Sequence, residues 1–89
     1  DNIMKLKSGF ITHETGNEQI LIDAGANNFA GIVKSNFSAA FIINCLKEDT
    51  TEEEILQKML EKYDGDEKQM KKDIAEIIKS LRKIGAIDE

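Results

Sequence analysis

The chain lacks proline and tryptophan, and it has one tyrosine, one histidine and one cysteine among 89 residues. Each scarcity excludes something. A single cysteine can form neither an internal disulfide nor a thiolate metal cluster. A single histidine, with no second one near it, gives no nucleophile–base pair and no set of converging metal ligands. Gly25 and Gly31 stand alone and precede no matching helix start, so there is no phosphate-cradling loop. No apolar run approaches the roughly 20 residues that cross a bilayer. No signal peptide is visible. A cytoplasmic setting without membrane partners is therefore expected, and a catalytic, metal or cofactor role has no residues to carry it.

What is present fits one small domain over 1–89. Forty per cent hydrophobic and 33% charged residues are ordinary for a compact fold. The chain opens at Asp1; either Met4 is the natural start behind a tag remnant, or the chain is a piece of something longer. Charge is uneven. Residues 1–47 hold four acids and four bases, whereas 48–89 hold thirteen acids and eight bases and carry the whole net charge of −5. A phosphate-tracking protein needs a basic face, so nucleic acid is not the expected partner.

The first half alternates as strands do. Met4, Leu6, Ser8, Phe10 and Thr12 share one phase and Lys5, Lys7, Gly9, Ile11 and His13 the other, which predicts a half-buried strand over 4–13. Thr15-Gly16-Asn17 is a turn, and a second strand follows over 18–23. Gly25 to Asn28 is the next turn, with a third strand over 29–35. The second half reads as helix over 37–47, 52–63 and 67–84. The first helix is apolar around most of its circumference and is expected to be central. Thr51 with Glu54, and Asp66 with Gln69, read as capping boxes. Glu52, Glu53 and Glu54 also suit the positive end of a helix dipole. Gly65 ends the second helix. In the third, Met70, Ile74, Ile77, Ile78, Leu81 and Ile84 form the stripe, before a left-handed stop at Gly85 with Ile87 folding back. Strands followed by helices indicate α+β. The short Asp64-Gly65 turn between the last two helices resembles a helix-turn-helix, hence a winged-helix-like fold with a three-stranded antiparallel sheet.

The third strand stands out. Everything after Asn36 reads as helix, so no later strand can pair with it. Phe29 and Val33 are apolar in one phase, Ala30 and Ile32 in the other, and Lys34 is the one charge. Exposed edges are usually guarded by charges or proline. An unguarded apolar edge suits strand addition by another chain. Other candidates have plainer readings. His13 is a solvated hairpin residue and Cys45 a buried, inert thiol. The bases of the third helix interleave with Glu67, Asp73 and Glu76, giving pairs such as Glu76 with Lys79 and a solvated, ion-paired face.

Several short motifs, in order, resemble the PqqD-like family, whose fold is also called the RiPP recognition element. They are Phe29 to Asn36, Thr51-Glu52-Glu53-Glu54-Ile55, Leu60-Glu61-Lys62-Tyr63, Asp73-Ile74 and Leu81-Arg82-Lys83-Ile84-Gly85. The resemblance runs from about residue 9 to 88. It departs at Ile42 or Ile43, where many members carry tryptophan. It implies a non-catalytic peptide chaperone. Such a domain binds the leader of a ribosomally made precursor peptide and presents it to a modifying enzyme, often a radical-SAM enzyme. By position, the peptide-binding residues would be Phe29, Ala30, Gly31, Ile32, Val33, Lys34 and Ser35 on the strand edge. Met70, Asp73, Ile74, Ile77 and Leu81 would line a groove on the third helix. Ile32 and Ile77 are then the positions at which an acidic substitution should abolish binding. Two alternatives stand beside this reading: a winged-helix nucleic-acid-binding module, and a domain that pairs its open edge with a second copy of itself.

Overall fold

The structure is a computed structural model and describes residues 2–15, 18–23, 28–34 and 37–89. The elements in order are β1 (Lys5–Leu6), β2 (Phe10–Thr15), β3 (Glu18–Asp23), β4 (Asn28–Lys34), α1 (Phe37–Cys45), α2 (Glu52–Lys62), α3 (Glu67–Lys83) and β5 (Ile87–Asp88). Strands largely precede helices, and the fold is α+β.

The strand expected over 4–13 is two strands. Gly9 adopts φ 96°, and the Phe10 amide donates to the Lys7 carbonyl at 3.2 Å. A left-handed residue in that turn is cheap only for glycine. The break lets the two parts do different things. The first part enters the helical body: the Met4 amide donates to Thr50 O at 2.8 Å, Leu6 to Leu46 O at 2.7 Å and Lys7 to Ala86 O at 2.8 Å. Met4 and Leu6 are buried. The second part, β2, joins a separate antiparallel sheet of order β2-β3-β4.

β5 corrects the expectation that all of the chain after Asn36 is helix. α3 ends at Lys83 with Ile84 as its C-cap; Gly85 follows at φ +73°, and the Ala86 amide donates back to Leu81 O at 2.9 Å, as in a left-handed helix stop. Ile87 then pairs with Leu6 and Asp88 with Lys5. The fold-back expected of Ile87 is thus a strand pairing, and Ile87 is buried.

The core is helical. Ala39, Ile42, Ile43 and Leu46 from α1 and its end meet Ile55, Leu56 and Met59 from α2. Met70, Ile74, Ile78 and Leu81 from α3 join them. Phe41 meets the Tyr63 ring edge-on at 5.6 Å, with the Lys62 ammonium over both rings.

The caps differ from expectation in detail. Thr51 Oγ1 accepts from the Glu54 amide at 3.1 Å, but the Glu54 carboxylate takes the hydroxyl of buried Thr50 at 3.2 Å, not the Thr51 amide. At α3, Asp66 accepts from the Lys68 amide at 3.2 Å, while Gln69 donates to Asp73 at 2.9 Å. Asp66 therefore caps alone, because its partner's side chain is turned along the helix. α2 stops at Tyr63, already extended at φ −124° and two residues before Gly65. Among the described residues the ion pairs are Lys71–Glu67 at 3.6 Å and Arg82–Glu89 at 2.8 Å, not Glu76–Lys79.

Candidate functional site

β4 pairs with β3 along one side, and no described strand lies along the other. The pairing runs Glu18↔Lys34, Gln19↔Val33, Ile20↔Ile32 and Leu21↔Gly31, then shifts to Ile22↔Phe29 and Asp23↔Asn28. Ala30 has no opposite residue. It is a β-bulge, the extra residue that re-aims a strand.

This bulge changes which positions share a face. Side chains alternate along a strand, and residues directly opposite one another in an antiparallel pair lie on the same face. Read as an unbroken strand, 29–35 places Phe29 with Val33 and Ala30 with Ile32. With one residue inserted at Ala30, positions 29 and 32 fall on one face and positions 31 and 33 on the other. β2 identifies the faces. It pairs with β3 without interruption, Ile11 opposite Ile22, Thr12 opposite Leu21 and His13 opposite Ile20. Phe10 packs against the helical core, whereas Ile11 is 53% exposed. The inner face therefore holds positions 10, 12, 21, 31 and 33, and the outer face positions 11, 13, 20, 22, 29 and 32. Ile32, expected as a strand-edge residue, pairs opposite Ile20 and so falls at an outer position. Ser35, the last strand residue of the expected site, lies outside the described residues.

α3 divides the expected groove residues. Met70, Ile74 and Leu81 are core residues, Leu81 with no exposed surface at all. They support the helix from beneath, and Ile74 also forms part of a groove floor between α2 and α3. Ile78 is buried likewise. Asp73 and Ile77 are only partly covered, and Ile84 joins them on the same helix flank at helical spacing. The opposite flank, with Glu67 and Lys71, faces the N-terminal half of α2 across an open groove of about 410 Å³. That groove also presents Glu52, Glu53 and Gln57 over a floor of Leu56 and Ile74. Asp73, Ile77 and the C-cap residue Ile84 thus form the partly covered margin of α3, where Ile77 and Ile84 pack against the edge of the core. Ile84 was missed as a flank residue because its apolar character assigns it to the stripe, and only helix packing tells the centre of a wide stripe from its margin.

His13 is exposed. Cys45 is partly buried, and burial pushes its thiol above the usual range more than nearby Lys58 pulls it down. A protonated thiol is a poor nucleophile. Among the described residues no cluster of three potential metal ligands occurs, and no helix is long and apolar enough to cross a membrane.

Residues 18–87 match the family model of coenzyme PQQ synthesis protein D, PqqD. No curated protein matches the sequence. Two solved structures share the fold. The first is a lasso peptide synthetase B1 complexed with its leader peptide. It has 20% identity and a TM-score of 0.68, covering 97% of this chain and 98% of that one. The second is TbiB1 in complex with the TbiA(beta) leader peptide, with 15% identity, a TM-score of 0.70 and 94% coverage of each chain.

Proposed function

Because the chain belongs to the PqqD family, we propose that it is a non-catalytic domain that captures the leader of a ribosomally made precursor peptide. The leader adds as a strand to β4, and the domain presents it to a modifying enzyme of the radical-SAM or another class. The observation that carries this reading is the single-sided pairing of β4. A sheet edge holds a row of unpaired amides and carbonyls, which an extended peptide satisfies. The two fold relatives, each solved with a leader peptide, lend support.

The site is the backbone of 28–34, the inner positions Gly31 and Val33, and the α3 flank of Asp73, Ile77 and Ile84. Main-chain bonds supply affinity regardless of sequence, and a few apolar anchors on the inner side select the peptide. We read the three-stranded sheet with the α2–α3 pair as winged-helix-like, but the interleaved acids of α3 do not favour DNA.

The sheet has a second edge, β2, and the test must separate the two. A synthetic leader from a precursor encoded beside the gene is titrated into the labelled domain while backbone amides are followed. Saturable shifts in 28–34 with β2 unchanged are expected. Shifts confined to β2, or none at all, would remove the proposal. Sedimentation of the free domain as a monomer would separate peptide capture from edge-to-edge pairing of two copies.

A further inference from the structure

The outer sheet face has no task in the site described above, and it is not built like a solvated face. The pleat arranges it in rows across three strands: Ile11–Ile22–Phe29, then His13–Ile20–Ile32, then Thr15–Glu18–Lys34. Two rows end at the open edge in an apolar residue, and the third ends in a lysine. Ile11 is 53% exposed, and Ile20 and Ile22 are only partly covered. Outer faces of antiparallel sheets are ordinarily polar in this phase. The Ala30 bulge is what brings position 29 onto this face beside 32; without it, one of the two rows would end in the other phase.

We infer that the outer face is a second reading surface for the bound peptide, selecting an apolar residue beside Ile32 and an acidic one beside Lys34. The inference rests on strand addition to β4. An added strand continues the rows of the sheet it joins, so its outward residues become cross-strand neighbours of positions 32 and 34. The stretch 31–34 pairs in regular register, so these two neighbours are separated by one inward-facing residue of the peptide. The ligand is thus an extended segment with apolar residues in both phases and one acid in the outward phase. Each cross-strand pair is a modest contribution, and loss of one should weaken binding by up to roughly five-fold. The surface tunes choice among peptides and does not supply the bulk of the affinity.

The probe is a displayed library of random peptides, selected in parallel on the natural domain and two variants. Ile32→Thr removes the apolar row end. The double variant Glu18→Lys with Lys34→Glu reverses the charge at the edge while keeping a pair of opposite sign across β3 and β4, so the sheet is not burdened with like charges. Peptides from the natural domain should carry the outward apolar–x–acid pattern. Selection on Ile32→Thr should lose the outward apolar preference alone, and the double variant should exchange acid for base. An outward phase without preference on the natural domain, or a charge preference that ignores the swap, overturns the inference while leaving strand addition intact. Enrichment of no peptide that shifts the β4 amides would overturn strand addition itself, and this inference with it.

Discussion

The helical body and the three-stranded sheet are built on different terms. In the body, the centres of the apolar stripes meet one another: α3 packs on α1, α2 and β5, and the N-terminal segment is held by main-chain bonds to the α1–α2 connection and the C-terminal turn. In the sheet, the strands pack chiefly on one another, and two edges and one apolar face are left over. The contrast shows where stability resides and where recognition is to be sought. A residue with no exposed surface contributes to folding whatever binds; a strand with one neighbour has bonding capacity to spare.

The largest effect that tests this division is in the body. Ile78→Ala should cost about 2–5 kcal/mol, a large share of what so small a domain has. Ile11→Ala, at an exposed sheet position, should change stability by less than about 0.5 kcal/mol. Equal losses in urea unfolding would mean that the sheet shares the core after all.

The next effect separates the two faces of the sheet by binding. Ile77→Asp, on the partly covered margin of α3, should weaken leader affinity roughly thirty-fold or more, the scale of a hot-spot anchor. Ile32→Asp should weaken it by roughly five-fold. Calorimetry giving the reverse order would sink the assignment of inner and outer positions, provided both variants keep the natural melting profile.

A smaller effect concerns the join between α3 and β5. Gly85→Ala puts a side chain where φ is +73° and should cost about 1 kcal/mol. The loss should show as faster amide exchange at Leu6 and Ile87 with β4 unaffected. Exchange rising equally in the sheet would contradict the separation of the two regions.

The smallest is electrostatic. Arg82 donates to both carboxylate oxygens of Glu89, at 2.8 and 2.9 Å. This hydrogen bonding holds the Glu89 carboxyl below its usual range. A depressed folded-state value stabilises the fold above the ordinary carboxylate pKa, and that contribution is lost as pH falls through the depressed value. The pair is exposed, so its contribution is small. As pH falls through that depressed value the Glu89 contact to Arg82 should open, and Arg82→Gln should erase this part of the acid response in side-chain NMR titration. An unchanged acid profile in Arg82→Gln would mean the clip contributes nothing.

The legible parts of the sequence were those set by near neighbours in the chain. The three helices fall within two residues of the spans expected from caps and stripes, since Thr51, Asp66 and Gly85 act within one turn. The details that failed were partner choices. Gln69 turned to Asp73 instead of back to the cap, and Glu54 took a hydroxyl from Thr50. Of the candidate site, the open edge of β4 was readable from the lack of any later partner strand. Its division into faces was not. Met70, Ile74 and Leu81 read as one stripe with Ile77, because apolar periodicity marks a stripe without saying which part of it another helix covers.

The sequence by itself determined the three helices, their N-caps at Thr51 and Asp66 and the family, because these depend on residue types and short spacings. Three things were decided only by tertiary structure. The 4–13 strand breaks at Gly9, so that Leu6 can pair with Ile87, more than eighty positions away. α3 turns one flank to α2 and leaves Asp73, Ile77 and Ile84 on the other. Ala30 bulges against β3 and brings position 29 onto the same face as position 32. Each is a choice between arrangements that are nearly equal locally, and contacts distant in the chain made the choice.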